Sequence, residues 1–167
     1  MTSTLKVSEI QDPTNGNSAL TVDTSGRILT PARPSFMARG HLGGAAAYAN
    51  CGVQLRCTVV DHNVGSAYNS SDGKFTCPVA GRYVYGFSVG IGYMASGGTS
   101  VYPYFRKNGG NIQYGYFQAP AAATYAAISM QTIIDCAAGD YLDVHISGNG
   151  QFYQGQQETM QYAYLYG

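Results

Sequence analysis

The chain has 167 residues, 45% of them hydrophobic, which is enough apolar material for one domain with its own core and an appendage. Its 9 basic and 9 acidic residues leave a formal net charge of +0, which argues against a nucleic-acid-binding protein because phosphates require a basic patch. No segment approaches the roughly 20 apolar residues of a membrane span, so we expect no membrane insertion.

The low content of charged residues is the most unusual feature of the composition. They make up only 11% of the chain, against about 25% in an ordinary soluble domain. A monomer with so few surface charges would be poorly soluble. We therefore interpret the low charge as a surface that is largely buried in an oligomer or a larger assembly. The alternative is a polar surface built from uncharged residues.

Residues 1–33 form a polar arm with sparse apolar positions and with turn signals at 12–17 and 23–27. The arm begins without the basic start, apolar run and cleavage site of a signal peptide, so we expect synthesis and assembly in the cytoplasm. Alternating apolar and polar residues predict short strands, which bury too little surface alone and need symmetry-related arms or another protein as partners. The predicted anchoring residues are Leu5, Val7, Ile10, Leu20, Val22 and Ile28.

After Pro34 the chain has the pattern of β-strands throughout, and the clearest strand covers residues 82–93. Its odd positions are bulky, and its even positions are mostly small, with glycine at three of them. A two-residue period with bulk on one face is typical of a strand. The small face implies that another layer or another subunit packs close against it.

Further strands follow this one in a regular order. A strand at 101–106 leads through the turn 107–110 to a return strand at 112–117, and the Asn-Gly pair in that turn favours a hairpin. Residues 127–136 alternate, and a turn at 138–140 leads to another strand. Many short strands with regular turns predict an all-β sandwich or barrel. The last strand carries on one face Met160, Tyr162, Tyr164 and Tyr166.

The segment 63–87 contains Asn63-Val64-Gly65, Tyr68, Gly73-Lys74-Phe75 and Pro78-Val79-Ala80-Gly81-Arg82-Tyr83, followed by alternating aromatic residues. This pattern closely resembles the signature of the complement C1q globular-head family, which shares its jelly roll with tumour necrosis factor. The resemblance extends in the right order over residues 34–167. Its other parts are the first strand Phe36-Met37-Ala38-Arg39, the hairpin Lys107-Asn108-Gly109, the strand start Gly139-Asp140 and the aromatic strand at 160–167.

The resemblance implies a jelly-roll β-sandwich of the ten-strand type at 34–167, carried by the extended arm 1–33 and assembled as a homotrimer around a tyrosine-rich axis. Tyrosine, of which there are 15, suits an interface because its ring buries area while its hydroxyl stays paired or wet. Residues 41–57 depart from the family, being rich in Gly and Ala where members carry a first short hairpin. The expected interface residues are Tyr83, Tyr85, Phe87, Tyr162, Tyr164 and Tyr166.

The arm has a resemblance of its own. Segments 3–7, 10–11, 18–23 and 25–28 resemble the N-terminal segments of fibre and virion proteins of tailed bacteriophages, especially phages of marine bacteria and cyanobacteria. This resemblance implies a virion protein assembled in the host cytoplasm, and no collagen-like Gly-x-y repeat is present. We expect a trimeric capsid decoration, cement or knob protein whose arm binds the major capsid protein or another virion protein.

The alternative function is a receptor-binding tip of a tail fibre that recognises a host surface glycan or protein. Exposed aromatic residues in loops would stack on sugars, although the same residues would also suit the core of a trimer. The candidate ligand residues are Tyr93, Tyr114, Tyr116, Tyr125, Phe152 and Tyr153.

No motif for catalysis, a cofactor or a metal is present in the sequence. The histidines have no ligand spacing, and there is neither a nucleophile elbow nor a phosphate loop, so we predict that the protein is not an enzyme and holds no cofactor. His145 is expected to be solvated or interfacial, and Asp140 to close its turn. Asp61, Asp72 and Asp140 are the candidate calcium ligands, but they lack the spacing of a calcium loop.

The four cysteines are too few for a disulfide scaffold and lack the spacing of a zinc site. We expect buried free thiols. The alternative is a bond between Cys51 and Cys57 after exposure to an oxidant.

Overall fold

A computed structural model describes residues 6–11, 13–14, 16, 18–43, 47–92, 99–118 and 125–167. The regular structure of these residues is entirely β, which confirms the predicted class. The described part contains no helix of the length and apolar character needed to cross a membrane. The chain divides into two compact units, residues 1–33 and residues 34–167.

The first unit contains a three-stranded antiparallel sheet of β1 (Glu9–Gln11), β2 (Ser18–Val22) and β3 (Ile28–Leu29), in the order β1-β2-β3. Its predicted second turn is present, because Asp23 Oδ1 accepts hydrogen bonds from the backbone N–H groups of Ser25 and Arg27, at 2.9 Å each.

The apolar residues of the arm differ in their exposure. Leu20 and Val22 are half-buried on β2, whereas Ile10 and Ile28 are exposed. The alternation of Leu5 and Val7 with polar residues predicts a half-buried strand there, but Val7 is exposed and precedes β1: the ladder begins at Glu9, which pairs with Thr21 of β2. Leu5 lies outside the described residues.

The second unit is built from strands β4 to β17. They are β4 (Ser35–His41), β5 (Tyr48–Asn50), β6 (Val53–Gln54), β7 (Cys57–Val64), β8 (Tyr68–Asn69), β9 (Lys74–Thr76), β10 (Gly81–Ile91), β11 (Ser100–Lys107), β12 (Gly110–Tyr114), β13 (Phe117–Gln118), β14 (Ala126–Cys136), β15 (Tyr141–Gly148), β16 (Gln151–Tyr153) and β17 (Thr159–Leu165).

These strands form two sheets. The first sheet has the order β5-β16-β10-β17-β4-β7, with β14 paired to β10. The second sheet has the order β12-β11-β15-β9-β8, with β13 paired to β11 and β6 paired to β15. All pairings between described strands are antiparallel, as in a sandwich whose connections pass from one sheet to the other.

The core lies between the two sheets. The odd-numbered residues of β10 point inward, and Tyr85 and Phe87 contact Phe105 of β11, with ring centroids 5.6 and 5.0 Å apart. The second sheet contributes Leu142, Val144 and Ile146 from one face of β15, all fully buried. Each such side chain contributes roughly 1.5–3 kcal/mol through burial. The predicted alternation of β10 and β15 thus produces the two halves of one core.

The small face of β10 is covered by tyrosines of the same chain. A Cβ on Gly86 would overlap the ring of Tyr162, and a Cβ on Gly92 would overlap the ring of Tyr48. Part of the close packing predicted against this face comes from a neighbouring strand, because the register places β17 directly beside β10 and Tyr162 lies over Gly86. Packing of another subunit against this face stays a prediction.

The hairpin after β11 has the predicted turn. Asn108 and Gly109 have φ of 51° and 80°, the left-handed pair that a two-residue hairpin needs. The continuous return strand predicted at 112–117 is wrong, because β12 ends at Tyr114 and β13 begins at Phe117. The ladder breaks opposite Pro103, whose carbonyl accepts the Gly115 N–H but which has no N–H to donate in return.

The Gly/Ala-rich segment 41–57 crosses between the sheets instead of forming a hairpin. β5 pairs with β16 in the first sheet, and β6 pairs with β15 in the second. Gly52, between them, has φ of 96°, which suits the sharp change of direction. The departure from the family pattern that the sequence indicates at this point therefore corresponds to a crossover.

Candidate functional site

The outer face of the first sheet carries an apolar stripe across three neighbouring strands. The register places Val84 of β10 between Ile133 of β14 and Tyr164 of β17. Ile133, on β14, is 59% exposed and Tyr164, on β17, is 41% exposed, while Val84 between them is only 6% exposed. Large apolar side chains exposed near one another mark an interaction surface more often than a single one does. We call Val84, Ile133 and Tyr164 the apolar stripe.

Tyr162 continues this face next to the apolar stripe. Its ring lies over Gly86, its hydroxyl donates a hydrogen bond to Gln131 Oε1 at 3.1 Å, and burial raises its pKa. A cavity of about 240 Å³ opens beside it, with Ser88, Ser129 and Met160 in its wall. The ring is thus held in place by its own sheet, so this part of the face is preorganised.

Ion pairs lie on the same outer face. Arg39 Nε and Nη2 donate to the two carboxylate oxygens of Asp61 at 2.6 and 2.7 Å, a bidentate pair. Arg82 Nε lies 3.5 Å from Asp135 Oδ1, and both groups are largely exposed. An apolar centre with a polar and charged rim is the usual composition of a protein interface.

The residues predicted at a trimer interface separate into two groups. Tyr164 and Tyr166 are exposed and Tyr162 is half-buried on the outer face, where a partner can reach them. A correction is needed for the remaining three, which fill the interior of the head because odd positions of β10 face the second sheet. These fully buried residues are Tyr83, Tyr85 and Phe87.

A second surface lies on the outer face of the second sheet, where four tyrosines form two ring pairs. Tyr102 and Tyr116 have centroids 5.0 Å apart, and Tyr104 and Tyr114 have centroids 5.6 Å apart. Tyr114 is 62% exposed and Tyr116 is 54% exposed. We call these four residues the outer tyrosine patch. His145 of β15 is half-buried and lies opposite Tyr104 of β11 in the register, and its Nδ1 is 3.1 Å from Ser147 Oγ.

Tyr114 and Tyr116 were predicted as ligand residues, whereas their neighbours Tyr102 and Tyr104 were missed. The Asn-Gly turn alone does not predict this pairing. Its register pairs Arg106 with Asn111, and a shift of the register between Phe105 and Arg106 then brings Tyr104 opposite Tyr114.

The other candidate ligand residues have different surroundings. Phe152 was predicted in an exposed loop, and this is wrong: it is fully buried on β16, with its ring 5.2 Å from His41. Tyr153 is half-buried, and its hydroxyl accepts a 3.0 Å hydrogen bond from the hydroxyl of Tyr48. Tyr125 is exposed, and its ring centroid lies 6.3 Å from that of Tyr153. Tyr93 lies outside the described residues.

The candidate calcium ligands are engaged in separate ion pairs. Asp140 closes its turn as predicted, because its Oδ2 accepts the Ala137 N–H at 2.8 Å, and Lys107 lies 2.8 Å from the same oxygen. The hydrogen bond with Lys107 is the main cause that lowers the pKa of Asp140 to about 2. Asp61 and Asp72 face Arg39 and Lys74 instead. The described residues hold no group of three or more metal-ligating side chains.

All four cysteines are free thiols, and three of them are buried, as predicted. Cys51 is only half-buried and is not bonded to Cys57. Burial raises the pKa of the Cys51 thiol to about 11 and that of Cys57 to about 12. Because the thiolate is the reactive form, both thiols are poor nucleophiles at neutral pH.

Comparisons with known proteins agree on one fold. A family model described as the C1q domain matches residues 45–164. The globular domain of zebrafish complement 1qA has a TM-score of 0.61 and 11% identity, covering 81% of this chain and 98% of that one. The Eiger TNF of S. frugiperda has a TM-score of 0.63 and 8% identity, covering 81% of this chain and 94% of that one. These likenesses confirm the predicted jelly roll.

Proposed function

The chain belongs to the C1q domain family, and from that premise we propose that it is a non-catalytic binding module whose head forms a homotrimer through the outer face of the first sheet. Domains of this kind are generally non-enzymatic binding modules. The observation that carries the proposal is the apolar stripe, flanked by the Arg39–Asp61 and Arg82–Asp135 pairs.

Self-association also accounts for the composition. With only 11% charged residues, the chain gains little solubility from its surface, and mutual burial of the apolar stripe removes part of the exposed apolar area. A second copy of the same chain is the partner that is always present at a matching concentration. Three copies around an axis make a closed assembly, which leaves no stripe unpaired.

Tyr164→Arg tests the proposed interface. A charge in the centre of a desolvated contact has no partner there, so we expect the variant to sediment as a monomer where the unchanged chain sediments as a trimer. Tyr114→Arg is the matched control, since it places the same charge at an exposed tyrosine of the opposite sheet. A trimeric Tyr164→Arg variant, or a monomeric Tyr114→Arg variant, would contradict the proposed interface.

We propose further that the protein is a virion component, a decoration, cement or knob protein held on a phage particle by residues 1–33. The resemblance of the arm to phage virion proteins supports this role. So does the exposure of apolar residues on and next to a small sheet that needs a partner to bury them, namely Val7, Ile10, Ile28 and Leu29.

Deletion of residues 1–33 tests the anchoring role. The remaining head should stay trimeric and lose binding to particles, and Ile28→Asp in the full chain should weaken binding while leaving the head intact. Immunogold labelling with antibody to the head should show a regular pattern over the capsid. Undiminished binding of the shortened chain, or particles without label, would overturn the virion role.

A second candidate function rests on the outer tyrosine patch. Four tyrosines in two ring pairs present flat apolar faces with hydroxyls beside them, a combination that suits stacking on sugar rings. On this alternative the protein is a receptor-binding tip that recognises a host surface glycan. Two results together would favour receptor binding over capsid decoration. The immunogold label would be confined to the tail, and the head would bind a glycan array in a way that Tyr114→Ala and Tyr116→Ala abolish.

A further inference from the structure

A cavity of about 460 Å³ opens where the end of β4, the strand β6 and the turn before β9 meet. Leu42 and Val53 supply apolar wall, and both are partly exposed at the surface. Arg56, Asp72 and Lys74 supply charge. Cavities that hold small ligands commonly have a volume of about 300–1,000 Å³ and combine apolar walls with a few polar groups.

Arg56 is the unusual group in this wall. Its Nε is buried and has no hydrogen-bond acceptor among the described residues. Four other arginines, by contrast, each form an ion pair with a carboxylate: Arg27 with Asp23, Arg39 with Asp61, Arg82 with Asp135 and Arg106 with Asp143. A buried guanidinium donor without an acceptor is unfavourable, and an anion would relieve that cost.

A buried histidine holds the backbone of Arg56 through a hydrogen bond. The backbone N–H of Arg56 donates to Nδ1 of buried His41 at 3.0 Å. Burial is the main cause that lowers the pKa of His41 to about 4, and the charge of Arg56 lowers it further. The imidazole is therefore uncharged at neutral pH and adds no second positive charge to the wall.

The remaining charges in the wall balance one another. Lys74 Nζ lies 3.9 Å from Asp72 Oδ2 and 4.7 Å from the centroid of the Tyr141 ring. Asp72 is also bound through its backbone, since its carbonyl accepts a hydrogen bond from Gln54 Nε2 at 2.5 Å. With Lys74 and Asp72 paired, Arg56 is left as one uncompensated positive charge.

We propose that this cavity binds a small organic carboxylate, with the carboxylate on the Arg56 guanidinium and the body of the ligand against Leu42 and Val53. The planar fork of a guanidinium matches a carboxylate with two parallel hydrogen bonds. A single negative charge fits the single uncompensated cation. A phosphate dianion would leave one negative charge unbalanced and close to Asp72.

D-Glucuronate is the probe, titrated into the ¹⁵N-labelled full-length chain, with D-glucose as the uncharged control and inorganic phosphate as the dianion control. We expect glucuronate to shift the amide resonances of Gln54 and Arg56, and glucose to leave them unchanged. Arg56→Gln should weaken binding by about tenfold or more, and Arg56→Lys should fall between because a point charge replaces the fork. Arg27→Gln removes the same charge from the arm and should change nothing.

Absence of shifts with glucuronate up to its solubility limit would overturn the proposal. So would equal binding of glucose, tighter binding of phosphate, or undiminished binding by Arg56→Gln. Arg56→Lys keeps the charge and the side-chain stem, so it supplies the test if Arg56→Gln does not fold. The site does not depend on the proposed trimer, and sedimentation of each variant separates loss of the ligand from loss of assembly.

Discussion

At the scale of single residues, Gln161 shows how one polar side chain is accommodated in the core. It lies fully buried on β17, where its Oε1 accepts from the Tyr85 hydroxyl at 2.9 Å and its Nε2 donates to the Tyr68 hydroxyl at 2.7 Å. The Tyr68 hydroxyl in turn donates to the Cys57 carbonyl at 2.7 Å. A buried network of this kind is stable only while each member keeps its partner.

Gln161→Leu should therefore cost about 2–4 kcal/mol of unfolding free energy, because it leaves the buried Tyr85 hydroxyl without its acceptor. Urea denaturation at a fixed protein concentration measures the loss. Adding Tyr85→Phe to the Gln161→Leu chain should recover part of it, since the stranded hydroxyl is removed. A loss below about 0.5 kcal/mol would show that the network is not coupled to stability.

His41 gives the fold a defined sensitivity to acid. Its pKa is about 4 in the folded chain and about 6.5 when unfolded, so the folded state binds fewer protons between these values. Its contribution to stability is complete above pH 6.5 and is lost as the pH falls towards 4. We expect a loss of about 2 kcal/mol after allowance for solvent screening.

His41→Asn isolates this contribution. Asparagine keeps an acceptor near the position of Nδ1 for the Arg56 N–H but does not titrate. Urea midpoints measured from pH 7 to pH 4 should fall less steeply for the variant than for the unchanged chain. Burial also lowers the pKa of His145. Because the variant and the unchanged chain both contain His145, the difference between their pH profiles reports His41 alone. Parallel pH profiles would contradict the assignment.

At the scale of elements, β10 is the strand around which the first sheet is organised. Its bulky face fills the core and its glycine face accepts tyrosines from neighbouring strands. Gly86→Ala should cost about 1–3 kcal/mol, because the new methyl group meets the ring of Tyr162. Ser88→Ala, two residues along the same face, is the matched control and should cost less.

A double-mutant cycle identifies the cause of the Gly86 effect. If the clash with Tyr162 is responsible, Gly86→Ala should cost much less in the Tyr162→Ala background than in the unchanged chain. Equal costs in both backgrounds would attribute the effect to the backbone and not to the ring. Thermal or urea unfolding at one protein concentration serves for all four proteins, since oligomer stability varies with concentration.

The sequence predicts local elements better than it predicts which side of them is buried. The period-two alternation predicts a strand at Ala127–Cys136, and the observed β14 covers Ala126–Cys136. The Asn108-Gly109 pair likewise predicts the hairpin that is observed. Alternation defines two faces, but only a tertiary partner decides between core and surface. For β10 that partner is Phe105, so its bulky residues belong to the core and not to an interface.

At the scale of the whole molecule, the family signature predicts the jelly roll and the division of strands between two sheets. The outward tyrosines of β17 follow from alternation once that fold is accepted. The Arg56 cavity does not follow, because its wall is drawn from residues between 41 and 74 that only the crossover of segment 41–57 brings together. No motif in the sequence marks that juxtaposition.

The outer face of the first sheet and the low charge both lead to the central claim, that the protein works as a trimer. The chain exposes Ile133 and Tyr164 on the outer face of the first sheet, and only 11% of its residues are charged. Self-association would therefore come before any further binding, whether to a particle, a glycan or a small carboxylate.

The molar mass of the full-length chain in solution, measured by light scattering on a sizing column, tests this claim most directly. We predict a mass three times that of the 17.7 kDa chain, unchanged on dilution through the working range and reduced to that of one chain by Tyr164→Arg. A single-chain mass for the unchanged protein at every concentration would contradict the proposed function and leave the apolar stripe to a different partner.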